Sequence, residues 1–571
     1  MREPLLFASF VSITLAQTAY SSSNPVVRIQ NGTVCGVDLP QFNQSLFLGI
    51  PYAQAPVGDL RLRPPRSISK SFEELDATSY GPHCWSAFTT GFDDNSGYTS
   101  SEDCLTLNVI RPHEASAENL VPVIVWIHGG GFFAGGSADS RYNGTYLVQA
   151  SVANGHPVVF VSINYRLASL GWMGGSALAS EGSLNLGLRD QRLALQWVQA
   201  NIEKFGGNSR KVTVHGQSAG GMSIHAHIVA YNGRDDHLFT RAIIESGTIG
   251  LPYPPADNPI LQGLYDSLVS SSSCSRGNSS AAINAKLQLA CLRALPIDEF
   301  LQAAGGAIFG TYGVLYDGDM ITVGGPFAAY KAGKFVKVPM LIGSNTDEGH
   351  SFSPTGANTI HDIKLRLSSV VPADQMDALL NLYPDVMAEG CPFDTGDFRL
   401  DPVQNGVFEA PGTQDKRAAA VVGDVVMAAG SRWLAKEISC NVPVWKYRFN
   451  HIPHSVSFGT QDYVGHFVEV TYVFNTQNND TEFWNANQFR ATYLGSGTPI
   501  EDRFLGVYMS RAWGSFAATG DPNNAKVSPW VHWPQYSNGA KNLVLRTQGS
   551  HLEDDDFRSK GMDFIMTNVF F

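Results

Sequence analysis

The sequence predicts an α/β fold with a mostly parallel central sheet and helices on both of its faces. Short, continuous apolar runs recur along the chain, which is typical of strands covered on both faces. Between two of these runs, residues 188–204 carry apolar side chains at helical spacing, and Gly206 and Gly207 end the pattern. Strands that alternate with helices in this way indicate parallel β-α-β units.

The predicted strands are spread over most of the chain. They cover residues 47–53, 105–109, 123–127, 158–163, 211–215, 239–245, 338–342 and 444–449. Because 47–53 runs into a loop rich in proline and arginine, we expect it to be an edge strand. Since these elements are interleaved instead of clustered, we expect residues 17–571 to form one large domain.

Composition and charge exclude several classes of protein. With 43% hydrophobic and 16% charged residues, the chain has the profile of a soluble globular protein, not of a disordered or fibrous one. The formal net charge is −12 and no tract rich in lysine or arginine occurs, so we expect no nucleic-acid partner.

The N-terminus predicts an exported protein. Met1-Arg2-Glu3 precedes an apolar run over 5–15, and Thr14-Leu15-Ala16 matches a cleavage site of small residues. We therefore expect residues 1–16 to be a secretory signal peptide and the mature protein to be secreted and extracellular; a buried N-terminal strand is the alternative. No later apolar stretch looks long enough to span a bilayer, so we expect no integral membrane association.

In an exported protein, sequons can be glycosylated and cysteines can form disulfides. Five sequons are compatible with N-glycosylation, at Asn31, Asn43, Asn143, Asn278 and Asn479. Seven cysteines in an exported chain suggest disulfides with one thiol left over. Cys84 with Cys104, and Cys274 with Cys291, would close loops of about twenty residues or fewer. From sequence, Cys35, Cys391 and Cys440 cannot be paired, and no cysteine spacing matches a zinc site.

The segment Gly216-Gln217-Ser218-Ala219-Gly220 lies where a predicted strand gives way to a helical pattern. Glycines two positions to either side allow a serine to sit on a strained strand-to-helix turn at the top of a parallel sheet. The backbone N–H of Ala219 can then point at negative charge on a bound carbonyl oxygen. The pattern alone is weak because the chain is rich in glycine and serine, so the nucleophile assignment to Ser218 depends on its partners.

Three consecutive glycines, Gly129, Gly130 and Gly131, follow the buried strand 123–127. Without side chains, this backbone can turn its N–H groups towards a ligand. A flexible glycine-rich turn is the alternative interpretation. Given the serine turn, we expect these amides and that of Ala219 to form an oxyanion hole.

A serine nucleophile needs a histidine to take its proton and a carboxylate to fix the histidine tautomer. In this architecture both follow the serine, on loops after later strands. Glu348 follows the strand 338–342 and His466 follows the strand 444–449. Asp347 is the alternative acid, and is otherwise a loop-capping residue.

Other titratable residues near these motifs allow two interpretations. Without an accompanying acid or cysteine pattern, four histidines are expected to be core or surface residues: His225, His227, His451 and His454. Glu469, three residues after His466, is either a buried helper of the site or a structural hydrogen-bonding residue.

Further motifs accompany the candidate site in a fixed order. They are Gly49-Ile50-Pro51-Tyr52-Ala53, Glu102-Asp103-Cys104-Leu105, His128-Gly129-Gly130-Gly131-Phe132, Asn164-Tyr165-Arg166, Gly216–Gly220, Asp347-Glu348-Gly349, Gly465-His466, Tyr472-Val473-Phe474 and the run 513–522. Together they resemble the type-B carboxylesterase/lipase family, the cholinesterase-like branch of the α/β-hydrolases, in its secreted, fungal-type form.

This resemblance implies an α/β-hydrolase fold and a role for each site residue. Ser218 would be the nucleophile, His466 the general base and acid, and Glu348 the acid partner. Gly130, Gly131 and Ala219 would form the oxyanion hole. The resemblance also implies the disulfides Cys84–Cys104 and Cys274–Cys291, and buried ion pairs of Arg61 with Glu102 and of Arg166 with Asp190.

Departures from the family pattern restrict the expected substrate. Gln217 stands where the family commonly has glutamate, which removes a charge that would attract a cationic choline ester. The Cys84–Cys104 loop looks too short to carry both a choline-binding tryptophan and a long lipase lid, and Trp85 is not at that tryptophan's family position.

We therefore expect a secreted serine carboxylic ester hydrolase that acts on small-molecule or lipid esters without a metal or organic cofactor. A triacylglycerol lipase is the second hypothesis and a cholinesterase the third. A non-catalytic cholinesterase-like binding module and a biosynthetic acyltransferase are the alternatives from other classes. The sequence does not reveal the natural substrate, the acyl chain length or the oligomeric state.

Overall fold

The computed structural model describes residues 24–86, 98–247, 249, 253–275, 281–305, 312–322, 324–353, 356–391, 393, 412–454, 463–477, 494, 497–525 and 531–570. The expected signal peptide over 1–16 and the sequons at Asn278 and Asn479 lie outside these residues. So does most of the loop between Cys84 and Cys104, over 87–97.

The strands of the described residues form one large sheet and two small ones. They are β1 (Val26–Ile29), β2 (Gly32–Cys35), β3 (Val37–Leu39), β4 (Gln44–Pro51), β5 (Glu74–Asp76), β6 (His83–Cys84), β7 (Ser100–Ser101), β8 (Thr106–Pro112), β9 (Val121–Ile127), β10 (Val159–Ile163), β11 (Gly207–Gln217), β12 (Arg241–Glu245), β13 (Met340–Asn345), β14 (Val444–Phe449), β15 (Lys541–Leu545) and β16 (His551–Asp554).

The large sheet has the order β16-β15-β14-β13-β12-β11-β9-β10-β8-β4-β3. Its seven consecutive strands from β15 to β10 are parallel, and the flanking strands pair antiparallel. The predicted mostly parallel sheet is therefore confirmed. The strand predicted over 47–53 is not at the edge, because the short strand β3 pairs with the outer side of β4.

The helices lie on both faces of this sheet. They are α1 (Gly144–Ala153), α2 (Ala168–Gly171), α3 (Ser176–Ser180), α4 (Leu186–Asn201), α5 (Ala219–Gly233), α6 (Pro259–Ser271), α7 (Ala281–Ala294), α8 (Ile297–Ala304), α9 (Pro326–Lys331), α10 (Ile360–Leu367), α11 (Met376–Leu380), α12 (Asp415–Gly423), α13 (Ala429–Ile438), α14 (Val470–Phe474), α15 (Ile500–Thr519) and α16 (Ser559–Phe564).

Alternation along the central strands creates two hydrophobic cores, one on each face of the sheet. In β9, Val123, Val125 and Ile127 pack with α4 and α5 on one face, whereas Ile124 and Trp126 pack with α1, α14 and α15 on the other. Successive side chains of a strand point to opposite faces, so a strand buried on both faces must be apolar throughout. This is the physical reason for the continuous apolar runs in the sequence.

One helical run in the described residues is long and apolar enough to cross a membrane, contrary to the expectation that no such stretch follows the N-terminus. It covers Asp415–Ile438, and 83% of its most apolar window is buried inside the protein. Such burial is typical of a core helix of a globular protein, where apolar residues are needed on all sides.

Candidate active site

Ser218 lies between β11 and α5 in a backbone conformation that few residues adopt, with φ 56° and ψ −126°. A Cβ atom added to Gly216 would lie 2.6 Å from the carbonyl carbon of Gly220, and one added to Gly220 would lie 2.0 Å from the Ile127 carbonyl oxygen. Both glycines are therefore required for the turn to close. The result is a strained serine at the carboxyl end of a central parallel strand, which is where such sheets bind ligands.

The glycine loop after β9 packs directly against this turn. A Cβ atom on Gly129 would lie 3.0 Å from the Ser218 Cβ, and Gly130 and Gly131 have positive φ angles of 95° and 61°. Elsewhere in the loop, the Phe132 carbonyl oxygen accepts a hydrogen bond of 2.8 Å from the Ala168 N–H. The loop is thus held rigidly beside the serine.

Three backbone amides near Ser218 have no acceptor within the described part of the chain. The N–H groups of Gly130, Gly131 and Ala219 donate no hydrogen bond to any described residue. For Gly130 and Gly131 the cause is the left-handed loop backbone, and for Ala219 it is the start of a helix, whose first amides have no intrahelical partner. Unpaired amides at a helix start and in a glycine turn can bind an oxyanion.

The structure brings His466 and Glu348 into direct contact, although 117 residues separate them in the sequence. His466 Nδ1 lies 2.6 Å from Glu348 Oε2, and the side chains are only 5% and 2% exposed. The other carboxylate oxygen, Glu348 Oε1, accepts from the Ser246 hydroxyl at 2.5 Å and from the Asn345 N–H at 2.7 Å. These bonds fix the carboxylate, which in turn orients the imidazole ring.

Two further contacts set the position of His466. Its backbone N–H donates to Ser351 Oγ at 3.1 Å, and the Phe352 ring packs edge-on against the imidazole with the ring centroids 4.8 Å apart. The ring's Nε2 atom lies 3.3 Å from the Nε2 atom of Gln217. Over the described ranges no hydrogen bond joins His466 to the Ser218 hydroxyl; catalytic hydrogen bonds are often long before substrate binds.

Asp347, the alternative acid, has a different role. Its carboxylate accepts from the backbone N–H groups of Val464 and Phe393, both at 3.0 Å. Burial raises the pKa of this carboxyl above its usual value of 3.8. Asp347 therefore ties down the segment that carries His466 instead of contacting the imidazole.

Glu469 lies behind Glu348 and shares two of its partners. The Asn345 side-chain amide donates to Glu469 Oε2 at 2.5 Å, and the Ser246 hydroxyl lies 3.5 Å from Oε1. Burial, and then repulsion by Glu245 and Glu348, raise the pKa of the Glu469 carboxyl well above 4.5. This arrangement favours the interpretation of Glu469 as a buried helper that supports the acid.

Sequence reasoning missed Ser246 and Asn345. A signal exists, since each stands at the carboxyl end of a parallel strand, β12 or β13, where polar residues are otherwise rare in buried strands. No sequence pattern indicates that both reach the same carboxylate.

The remaining histidines lie apart from this cluster. His225 Nε2 lies 3.0 Å from the Gly247 carbonyl oxygen, and burial lowers the pKa of His225 to about 4; burial also lowers the pKa of His227 well below 6.5. His451, however, does have an acid partner, because its Nε2 lies 2.8 Å from Asp502 Oδ1. That acid comes from α15, 51 residues away, so no local sequence pattern indicates it, and the prediction that His451 is a core or surface histidine is unchanged.

The structure contains the disulfides Cys84–Cys104 and Cys274–Cys291. It leaves Cys35, Cys391 and Cys440 as thiols, so the expectation of a single unpaired cysteine was wrong. Burial raises the pKa of the Cys391 thiol well above 9.0.

Two arginines form the buried ion pairs that the family resemblance implies. Arg61 binds both carboxylate oxygens of Glu102 at 2.6 and 2.7 Å, and Arg166 binds those of Asp190 at 2.8 and 2.7 Å. Bidentate pairs of this kind fix the relative orientation of the two side chains in addition to compensating their charges. The Arg166 pair ties the loop after β10 to helix α4.

The described sequons differ in accessibility. Asn43 is exposed and Asn31 is partly exposed. Asn143 is only 5% exposed, and its side chain caps α1 by accepting from the N–H and the hydroxyl of Thr145, at 3.1 and 2.5 Å. Both contacts use Asn143 Oδ1, whereas an N-glycan is attached to the amide nitrogen, so Asn143 stays a predicted glycosylation site.

The chain is similar to known proteins over nearly its whole length. The model of a family described as the carboxylesterase family matches residues 23–564. Secreted lipase 1 of Botryotinia fuckeliana is 33% identical over 561 residues, which cover 92% of this chain and 89% of that protein. Lipase 4 of Diutina rugosa is 32% identical over 608 residues, covering 100% and 99%. The crystal structure of Aspergillus niger EstA matches with a TM-score of 0.79 and 27% identity, covering 95% of this chain and 98% of that one.

Proposed function

Given that the chain belongs to the carboxylesterase family and is a carboxylic ester hydrolase, we propose that Ser218 is its nucleophile, His466 its general base and acid, and Glu348 the carboxylate partner. The observation that carries this proposal is the 2.6 Å contact between His466 Nδ1 and Glu348 Oε2 beside the strained serine turn. Glu348 accepts a hydrogen bond from the Nδ1–H group, so the neutral ring presents a lone pair at Nε2.

The proposed reaction transfers the acyl group in two steps. His466 Nε2 takes the hydroxyl proton while Ser218 Oγ attacks the ester carbonyl, and the imidazolium is stabilised by Glu348. Collapse of the tetrahedral intermediate releases the alcohol, which receives the proton from His466. Water, deprotonated by the same nitrogen, then attacks the acyl-enzyme. Collapse of this second intermediate breaks the bond between Ser218 Oγ and the acyl carbon, releases the carboxylic acid, and returns the proton from His466 to Oγ.

The amides of Gly130, Gly131 and Ala219 are the proposed oxyanion hole. Their free N–H groups and the rigid packing of the glycine loop against Ser218 support this assignment. Hydrogen-bond donors that are already in place stabilise the negative charge of the transition state most strongly, because they need no reorganisation as that charge develops.

A long-chain lipase is the second candidate, since the relatives reported above are named as lipases. A lipase and a soluble esterase would share this chemistry and differ in the acyl group they accept and in activation at an oil–water interface. The pocket that would decide between them is built from distant loops.

Hydrolysis of p-nitrophenyl esters from acetate to palmitate, with and without emulsion, tests both candidates. We expect turnover by the wild type and its loss, by about a millionfold, in Ser218→Ala. A short-chain optimum supports a soluble esterase, and a long-chain optimum that rises at the interface supports a lipase. Turnover that survives in Ser218→Ala would contradict the nucleophile assignment. If the wild type hydrolyses none of these esters, a non-catalytic binding module is favoured.

We also infer that the protein is exported, with cleavage after Ala16 and glycans at some of its five sequons. The apolar N-terminal run and a relative named as a secreted lipase support this. N-terminal sequencing of the protein recovered from culture medium tests it, with Gln17 expected as the first residue.

A further inference from the structure

We propose that Gln217 is a positioning residue whose side-chain amide donates a hydrogen bond to Nε2 of His466 in the free enzyme, and thereby keeps that nitrogen unprotonated and ready to accept the Ser218 proton. This proposal rests on the proposed function and names a further determinant of the same site. It concerns the position at which this chain departs from the glutamate common in the resembled family.

The contact is buried and close. Gln217 is the last residue of β11, is fully buried, and precedes the nucleophile directly. Its Nε2 atom lies 3.3 Å from His466 Nε2. The other amide atom, Oε1, faces the glycine loop, where it would lie 3.0 Å from a Cβ atom on Gly129, and it has no hydrogen-bond partner in the described residues.

Glu348 decides which way the Gln217 amide must face. Because the carboxylate lies 2.6 Å from His466 Nδ1, that nitrogen carries the proton, and Nε2 of the neutral ring is an acceptor. An amide oxygen turned towards Nε2 would set two acceptors against each other. Only the NH₂ group can satisfy the ring, even though this leaves Oε1 of Gln217 buried without a partner.

A carboxylate at position 217 would have the opposite effect. It has no proton to donate to a neutral Nε2, but it accepts strongly from the N–H of an imidazolium. It would therefore favour the protonated ring, in which Nε2 cannot act as a base. The glutamine instead favours the neutral ring, so we infer that this enzyme keeps its base available at more acidic pH than the same site with a glutamate.

The other titratable groups near the imidazole, apart from Glu348, have contacts of their own. Glu469 binds Asn345, Glu245 Oε1 accepts from the Trp513 indole at 2.5 Å, and Asp347 binds backbone amides. His350 stacks on Tyr463, with ring centroids 3.6 Å apart. Position 217 is thus the site where a single side chain can change the charge that faces Nε2.

The experiment compares the pH dependence of kcat/KM for p-nitrophenyl butyrate in the wild type, Gln217→Met and Gln217→Glu. Methionine has a similar size and no hydrogen bond to offer. On the acidic side of the profile, we expect kcat/KM to fall at the lowest pH in the wild type, at a higher pH in Gln217→Met, and about one to two pH units above the wild type in Gln217→Glu. At a pH below all three of these midpoints, kcat/KM of Gln217→Glu is then about 10- to 100-fold lower than that of the wild type. Gln302→Glu, an equivalent change at an exposed position of α8, is the control and should leave the midpoint in place.

Coinciding midpoints in the three proteins would mean that Gln217 only packs, and would overturn the proposal. A measurement without turnover separates this failure from failure of the proposed function. Proteins labelled with ¹⁵N-histidine, Ser218→Ala with and without Gln217→Glu, are titrated by NMR, and the His466 signals are assigned by their loss in His466→Gln. We expect the His466 ring to take up its proton at higher pH when Gln217→Glu is present; identical titrations would contradict the proposal, whichever esters are hydrolysed.

Discussion

Three buried carboxyl groups surround His466, and their different partners give them different roles. Glu348 binds the imidazole, Asp347 binds the backbone of the His466 segment, and burial raises the pKa of the Glu469 carboxyl well above 4.5. Position in the sequence does not distinguish Asp347 from Glu348, because both follow β13 in one short turn. The direction in which each side chain leaves that turn decides which of them can act as the acid.

Replacing Glu348 tests that distinction. In Glu348→Gln, the amide can donate to Nδ1 and so favours the wrong tautomer, and we expect kcat on p-nitrophenyl butyrate to fall by about 10⁴-fold. Asp347→Asn is the matched control, with a far smaller effect on kcat expected because Asp347 does not touch the ring. A larger loss in Asp347→Asn than in Glu348→Gln would assign the acid to Asp347.

Glu469 gives the stability a dependence on pH. Because its pKa is raised above 4.5 in the folded protein, the folded state holds a proton that the unfolded chain releases as the pH rises above that value. The free energy of unfolding therefore falls as the pH rises from 4.5 through the raised pKa. In Glu469→Gln we expect a smaller fall in the free energy of unfolding as the pH rises above 4.5, measured by urea unfolding.

Glu114→Gln, at an exposed position, is the control for this measurement and should retain the wild-type pH dependence. An unchanged pH dependence in Glu469→Gln would mean that Glu469 is ionised in the folded protein.

At the level of secondary structure, the site depends on the close approach of β9, β11 and α5. Gly220 lies so close to the end of β9 that a Cβ atom on it would be 2.0 Å from the Ile127 carbonyl oxygen. The position of the loop after β9 and the position of the serine turn therefore depend on each other. A Cβ atom on Gly129 would likewise lie only 3.0 Å from the Ser218 Cβ, so the glycine loop packs against the serine turn. The turn and the proposed oxyanion hole therefore form one rigid unit.

Gly220→Ala tests this unit. A Cβ atom would lie 2.0 Å from the Ile127 oxygen, and backbone cannot move aside as a flexible side chain can. We expect a loss of about 1–3 kcal/mol in the free energy of unfolding and a strong loss of activity. Gly263→Ala on α6, where nothing lies within 4 Å of the added atom, should instead be neutral or stabilise by up to about 1 kcal/mol.

Both quantities are measured by urea unfolding and by turnover of p-nitrophenyl butyrate. Wild-type activity in Gly220→Ala would show that β9 can retreat and that the unit is not rigid.

For the whole molecule, one of the two disulfides joins segments outside the large sheet, whereas Cys84 and Cys104 belong to the core that packs on the sheet. Cys274–Cys291 connects the end of α6 to α7 in a layer with its own small core. Segments of this kind make few contacts with the sheet, so a covalent link contributes mainly by restricting the unfolded chain.

We expect the double replacement Cys274→Ala and Cys291→Ala to lower the free energy of unfolding by about 3 kcal/mol, because the link closes a loop with a separation of 17 residues. Cys440→Ala, at an exposed free thiol, should change stability little. Differential scanning calorimetry measures both. Equal melting temperatures for the double variant and the wild type would mean that packing alone holds this layer.

Much of the fold could be predicted because it depends on local pattern. Doubly covered strands must be apolar throughout, and a strand-to-helix turn around Ser218 needs Gly216 and Gly220, so both leave signatures within a few residues. The prediction that β4 is an edge strand was wrong, because the edge position depends on whether another strand pairs beside it. That strand, β3, has only three residues and no distinct sequence pattern.

The sequence by itself determined the positions of β4 and of β8 to β14 along the chain, the serine turn, the glycine loop and the candidate acid and base, because each is encoded by residue types at short spacing. Only the tertiary structure decided that Glu348 rather than Asp347 meets His466, that Ser246 and Asn345 hold Glu348, and that the amide of Gln217 faces the imidazole. Those contacts join residues far apart in the chain. Their geometry is set by packing of the whole sheet, which no local pattern contains.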